Sequence, residues 1–180
     1  PHIFKKKVFP LLDDKPTFFL LLDNLRFDQW KVLEPIFNRL FKTVETDHFY
    51  SILPTTTQYS RNAIFAGMMP LDISKNYREW WTQDNEEGGR NNHEGDLLTK
   101  QIENTLRKPI KHDYFKITNT RLAKQLDDNI LNCMNNDLTA IVYNFIDTLS
   151  HARTEMEVIK ELASDETAYR SLTKSWFEHS

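Results

Sequence analysis

Two uninterrupted apolar runs organise the chain. Thr17 to Leu22 reads Thr-Phe-Phe-Leu-Leu-Leu and ends at Asp23, and Leu138 to Tyr143 reads Leu-Thr-Ala-Ile-Val-Tyr. Continuous runs of this length predict strands buried on both faces, as in a parallel sheet covered by helices. Between Asp28 and Phe41 the apolar positions fall at Trp30, Val32, Leu33, Ile36, Phe37, Leu40 and Phe41, a helical spacing. Pro35 is expected to bend that helix or shift its start. Thr43 to Leu53 carries β-branched and aromatic residues and predicts a second strand, ended by Pro54. Thr57 to Ala66 predicts a short helix, closed by Gly67 as a left-handed C-terminal residue.

Further along, Ser74 to Trp81 is a short amphipathic segment. Residues 82–95 hold three of the four glycines with acids and asparagines, which predicts a mobile loop. Helices are expected over Asp96–Leu106, with Asp96 as N-cap, and over Asn119–Leu126, with a strand at Asp113–Ile117 between them. Two more helices, Arg153–Leu162 and Asp165–Phe177, close the chain. Strands alternating with helices predict an α/β sandwich with a mostly parallel sheet flanked by helices.

Composition narrows the class of molecule. The 180 residues are 39% hydrophobic, 27% charged and 12% aromatic, which suits one packed domain and excludes a disordered chain. A net charge of −3 argues against a general nucleic-acid or anionic-membrane surface. The single cysteine, Cys133, excludes an internal disulfide and a cysteine-based zinc finger. No apolar run reaches the roughly 18 residues of a membrane span, so no membrane association and a cytoplasmic location are expected. The first residue is Pro1, not Met, and the last helical pattern stops on Trp176 and Phe177, which predicts a fragment of a longer chain.

Chemistry gathers at strand ends, where open α/β sheets bind ligands. Asp23 follows the first run directly, and Asp147 stands four residues after the second. Asp147 and His151 are spaced i, i+4, so on a helix both side chains point the same way and can share a metal ion. Pro54-Thr55-Thr56-Thr57 leads into a helix, whose N-terminal amides and dipole favour an anion beside a hydroxyl. Each feature has a bland alternative. Asp23 is otherwise a turn former, the threonines an N-cap cluster, and Asp147-x-x-x-His151 a chance spacing.

Together these residues resemble the alkaline phosphatase superfamily. Pro54 to Gly67 is similar to its nucleophile turn, in which a Thr, Ser or modified Cys opens a helix that ends at a Gly ten residues later. Ser60 and Arg61 stand at the +3 and +4 offsets of the sulfatase branch, and Pro54 stands three before Thr57 as in the diesterase branch. The segment ending in Asp23-Asn24-Leu25-Arg26 looks like the first metal strand. Within the superfamily the chain resembles the PglZ-type domain, and most of all the effector domain of PorX-type response regulators. Leu20 to Trp30 and Ala163 to Arg170 carry that likeness.

The resemblance implies a two-zinc phosphohydrolase, a phosphodiesterase acting through a threonine. It implies Thr57 as nucleophile; Asp23, Thr57, Asp147 and His151 as metal ligands; and Arg26 or Arg61 on the phosphoryl oxygens. Arg61 is open to a second role, as the structural partner of a carboxylate. Trp80 and Trp81 are candidates for a base-stacking lid, with a core role as the alternative. The substrate implied is a phosphate ester, such as a nucleotide or oligonucleotide. Implied partners are a receiver domain, a sensor kinase and a second copy in a homodimer, with type IX secretion as the output. The superfamily's Asp-His-Gly strand and final His do not follow His151, so the chain is expected to hold a truncated fold and about half of a binuclear site. The sulfatase branch is excluded, because threonine cannot give the aldehyde hydrate that branch requires. The rival is a regulatory or interaction module that keeps the fold without catalysis.

Overall fold

A computed structural model describes residues 1–82 and 89–178. Three strands form its sheet: β1 (Thr17–Leu22), β2 (His112–Ile117) and β3 (Leu138–Tyr143), in the order β1-β3-β2. The backbone bonds give the direction. Thr17 N–H donates to the Asp137 carbonyl and Asp23 N–H to that of Tyr143, so β1 and β3 advance together. Leu138 donates to Lys111 and Asn144 to Ile117, which sets β2 and β3 parallel as well. The α/β class and the parallel sheet flanked by helices agree with the sequence pattern.

The helices are α1 (Phe27–Leu40), α2 (Thr57–Ala66), α3 (Pro70–Asn76), α4 (Glu94–Leu106), α5 (Thr120–Cys133), α6 (Phe145–Glu155), α7 (Glu157–Leu162) and α8 (Glu166–Glu178). A π-helical turn lies at Phe4–Val8 and 3₁₀ turns at Phe9–Leu11 and Arg78–Trp80. Among the described residues no helix is long and apolar enough to cross a membrane.

The chain divides into two compact units, and each strand passes from one to the other part-way along. The first unit comprises Pro1–Phe19, Phe49–Phe115 and Ile130–Ala140. Its core holds Phe4, Phe65, Ile73, Leu97, Leu98 and Leu138, all essentially without exposure. Phe65 sits at the centre, edge-on to Phe19 and Tyr114 and 5.6 Å from Phe4. Phe65→Ala should therefore cost about 3–5 kcal/mol, the usual range for emptying a packed aromatic site. Urea unfolding with unchanged slope would verify the loss, and a cost below about 1 kcal/mol would contradict this core.

The second unit comprises Leu20–His48, Lys116–Asn129 and Ile141–Ser180. Its α1 packs on α8. Gln29 is wholly buried there, donates to Thr173 Oγ1 at 2.9 Å, and accepts the Arg26 N–H at 3.0 Å. The Phe37 and Phe177 rings meet at 5.0 Å, and a smaller apolar cluster holds Leu149, Ala163 and Tyr169.

Several expectations are corrected. Only β3 reads as a strand buried on both faces; β1 is outermost in the sheet and leaves Phe18 and Leu20 39% exposed. Residues 43–53 form no strand, and Val44, Phe49, Tyr50 and Leu53 are exposed. Strand propensity is a fit to a pleated, half-buried surface, and without a ladder it leaves the chain irregular. Pro35 lies inside α1, which starts at Phe27, so the proline does not set the start of the helix. Helix α4 starts at Glu94, so Asp96 lies inside the first turn, where it bonds His93 Nδ1 at 2.8 Å. Glu94 and Gly95, expected in the mobile loop, are thus helical; residues 83–88 of that loop lie outside the described residues. The helix expected at Arg153–Leu162 is two elements, α6 and α7, separated by an extended Met156.

Candidate active site

Thr57 is the first residue of α2 in the first unit, where the free helical amides lie. Its N-cap, Thr56, makes no side-chain cap bond. Thr55 and Thr56 are exposed and Thr57 is half-buried, so the three adjacent hydroxyls meet different surroundings. Ser60, at +3, donates from Oγ to the carbonyls of Thr56 (3.0 Å) and Thr55 (3.2 Å), fixing the turn that delivers Thr57. Gly67 ends the helix at φ 68°, as its sequence position predicts. A side chain there would be strained and would also meet Gln101 at 2.3 Å.

Arg61 is paired with a buried carboxylate. It is 2% exposed, and its guanidinium forks onto Glu94: Nε to Oε1 at 2.7 Å and Nη2 to Oε2 at 2.5 Å. Tyr114 Oη donates to Glu94 Oε2 at 2.5 Å, and Asn91 Nδ2 donates to Oε1 at 3.1 Å. Burial first, and then the Glu94 charge, push the Tyr114 phenol well above its usual range, so it remains a donor. A fully buried carboxylate is tolerable only when paired and saturated with donors, as here.

Trp80 is half-buried and stacked with Tyr77 (5.1 Å, 12°) and His93 (5.9 Å, 13°); Trp81 lies 5.7 Å from Tyr59. Both rings are thus engaged by aromatic neighbours in the first unit.

The carboxylates belong to the second unit. Asp23 continues the β1–β3 ladder by one residue, is 8% exposed, and precedes Asn24 in a left-handed conformation at φ 58°. Asparagine tolerates that conformation better than most residues, so the chain turns directly after the carboxylate. Asp147 and His151 do lie on one face of α6. Oδ1 and Nε2 are 3.8 Å apart, with His151 69% exposed and Asp147 24%. Two donors on one tetrahedral zinc stand roughly 3.4 Å apart, so this pair fits a shared ion with a small side-chain adjustment. Among the described residues, however, no group of three or more His, Cys, Asp or Glu side chains forms a metal cluster. Asp147 and His151 therefore supply a pair, and Asp23 does not complete it to three.

Arg26 is tied to carboxylates. It pairs with Asp28 at 2.6 Å and with Glu166, and lies over the Tyr169 ring at 5.3 Å. Arg170 also reaches Asp28 (3.1 Å) and Arg153 reaches Glu166 (3.0 Å), joining α1, α6 and α8. Arg26 and Arg153 line a cavity of about 250 Å³ with Asn24, Ser150, Thr154 and Tyr169. Hydrogen bonds from Arg26 hold Asp28 and Glu166 below the usual carboxylate range and raise Arg26 itself. Depressed carboxylates stabilise the fold above their unfolded values, near pH 4, and that contribution is lost as pH falls through the folded values. Arg26→Ala should bring both acids back towards about pH 4, readable by carboxyl NMR titration. Unmoved titrations would contradict the network.

A larger cavity of about 640 Å³ opens beside the ends of β2 and β3. Ile117, Thr118, Asn119, Lys124, Phe145 and Trp176 contribute to its lining, and Phe145 and Trp176 are stacked at 3.6 Å. Phe145 shares the first turn of α6 with Asp147.

Sequence reasoning did not single out Glu94, Asn91 or Tyr114. A 33-residue separation hides the Arg61 partner, and an acid next to a glycine reads as loop. Gly95 was the available signal: a Cβ there would meet the Tyr114 ring at 3.2 Å, which marks close packing where a loop was expected.

Comparison with known proteins identifies the family. A family model described as the BREX system PglZ alkaline phosphatase-like domain matches residues 3–178. No curated protein sequence matches the chain. With a parallel sheet and a family match over nearly its whole length, the chain belongs to the PglZ family of alkaline-phosphatase-like domains.

Proposed function

We propose that this chain carries the nucleophile and part of the metal-ligand set of a zinc-dependent phosphoesterase, acting on phosphodiesters. The observation that carries the reading is Thr57: a half-buried threonine on the first residue of a ten-residue helix with no side-chain cap, in a PglZ domain. Thr57 Oγ1 attacks phosphorus and gives its proton to solvent, the bond to one alcohol breaks, and that alcohol leaves protonated. Water then cleaves the Thr57 phosphoester and regenerates the hydroxyl. The amides opening α2 offer donors to the phosphoryl oxygens.

Asp23, Asp147 and His151 are the residues that would hold metal, with Thr57 Oγ1 as a further ligand. Bound zinc supplies Lewis acidity, which makes a hydroxyl nucleophilic near neutral pH and neutralises a leaving alkoxide. The diester preference draws on the 640 Å³ cavity, whose Phe145 wall adjoins Asp147 along α6 and offers room for a second, aromatic alcohol such as a nucleoside. By the resemblance of Leu20–Trp30 and Ala163–Arg170 to PorX-type effector domains, the domain would serve as the output of a response regulator, with receiver domain, sensor kinase and type IX secretion as its setting. The superfamily resemblance would have an Asp-His-Gly strand and a later His complete the ligand set.

A non-catalytic module is the second reading. Its support is that Arg61 and Arg26, the arginines the resemblance puts on the phosphoryl oxygens, are both bonded to carboxylates. Turnover separates the two. The intact protein with zinc should hydrolyse bis(4-nitrophenyl) phosphate faster than the monoester, lose that activity to a chelator and regain it with zinc. Zinc-loaded protein inert to both esters would establish the module.

A further inference from the structure

The Arg61–Glu94 pair does more in this fold than hold two helices together. Glu94 is completely buried, and its carboxylate accepts from Arg61 twice, from Tyr114 and from Asn91. Asn91 has a second attachment: its Nδ2 also donates to the Thr57 carbonyl at 3.3 Å and faces Asn62 Oδ1 at 3.2 Å. Asn62 in turn donates to the Arg90 carbonyl at 3.0 Å. Besides Tyr114 on β2, this network joins Thr57, Arg61 and Asn62 of α2 to Glu94 and to the segment just ahead of α4.

Geometry gives the network a direction. Arg61 lies four residues after Thr57, one helical turn on and on the same face. Fixing the Arg61 fork on Glu94 fixes the rotation of α2 about its axis, and with it the azimuth of Thr57. Asn91 fixes the first turn along the axis through the Thr57 carbonyl. Thr56 makes no side-chain cap bond, and the local bonds from Ser60 Oγ reach the carbonyls of Thr55 and Thr56, ahead of Thr57 itself. Its far end is held separately, by Gly67 against Gln101 and by Ala63 and Phe65 in the core.

We infer that Glu94, acting through Arg61 and Asn91, is a positioning residue for Thr57, setting the rotation and height of the turn that presents its hydroxyl. The inference rests on the reading of Thr57 as nucleophile and goes beyond it in naming what aims it. Glu94 touches no reacting atom.

Two variants of the intact protein test it, because Glu94→Gln strands a buried guanidinium and can simply unfold the unit. Asn91→Ala leaves the Arg61–Glu94 fork in place and removes the Asn91 bonds to the Thr57 carbonyl, Asn62 and Glu94. Amide hydrogen exchange in Asn91→Ala should rise about tenfold in a peptide spanning residues 57–61 and stay unchanged over residues 63–66. With a nitrophenyl diester, kcat should fall about tenfold or more with KM unchanged, as expected when only alignment is lost. Folded Glu94→Gln should show the same split, larger. Exchange unchanged at residues 57–61, or raised equally along α2, would overturn the inference. So would full kcat in Asn91→Ala while Thr57→Val is inactive. An active Thr57→Val would instead overturn the nucleophile reading on which the inference stands.

Discussion

Thr57→Val is expected to reduce phosphoester turnover of the intact protein by at least about 10³-fold, the scale on which covalent catalysts fail when the nucleophile is removed. The fold should survive. Valine has the shape of threonine and a similar tolerance of a helical first turn, and the bond to Asn91 uses the Thr57 carbonyl, which the substitution keeps. Zinc content should fall little, because Asp23, Asp147 and His151 are untouched. The neighbouring threonines are the control. Thr55 and Thr56 are exposed, and Thr56 makes no cap bond, so Thr55→Val and Thr56→Val should retain activity. Their stability should stay within about 0.5 kcal/mol of the parent, below the usual loss for a working N-cap. Steady-state kinetics, zinc analysis and urea unfolding on the three variants together verify the assignment. Equal activity in Thr57→Val would remove it.

Arg61→Met is expected to destabilise the first unit by about 3–5 kcal/mol, the cost of leaving one member of a buried ion pair without its partner. That is a large part of the roughly 5–15 kcal/mol that holds a whole domain together. Most of the loss should return in Arg61→Met/Glu94→Leu/Tyr114→Phe, which removes the carboxylate and the phenol that bonds it. Buried pairs replaced as a set by apolar groups are often neutral. The comparison also separates the two roles the sequence allows. An Arg61 that only met substrate would leave the unfolding midpoint in place and raise KM. A midpoint lowered in the single variant and recovered in the triple variant identifies the fork on Glu94 as structural.

What the sequence made legible was local. Thr57–Ala66 with Gly67, the β3 run, and the i, i+4 placement of Asp147 and His151 depend on periodicity and capping within one or two turns, and all hold in the structure. What it hid depends on partners distant in the chain. Whether Phe18 and Leu20 are covered depends on the place of β1 in the sheet, not on its own hydrophobicity. Residues 43–53 have the composition of a strand but no ladder. Glu94 reads as a loop acid until Arg61 and Tyr114 enclose it, and that enclosure moves the start of α4 forward by two residues. The break between α6 and α7 at Met156 carries no Pro or Gly, so nothing in the local sequence announces it. The same limit applies to the candidate site. Spacing identified the Asp147–His151 pair, while the carboxylates that occupy Arg26 and Arg61 emerged only from packing.

The most direct test is chemical. The intact zinc-loaded protein is mixed with a labelled phosphodiester, quenched in acid during turnover, digested and mapped by mass spectrometry. Threonine attack predicts a phosphoryl adduct on Thr57, within the peptide that spans residues 54–61, and none in Thr57→Val. An adduct on Thr55, Thr56 or Ser60, or steady turnover with Thr57 unlabelled, would contradict it.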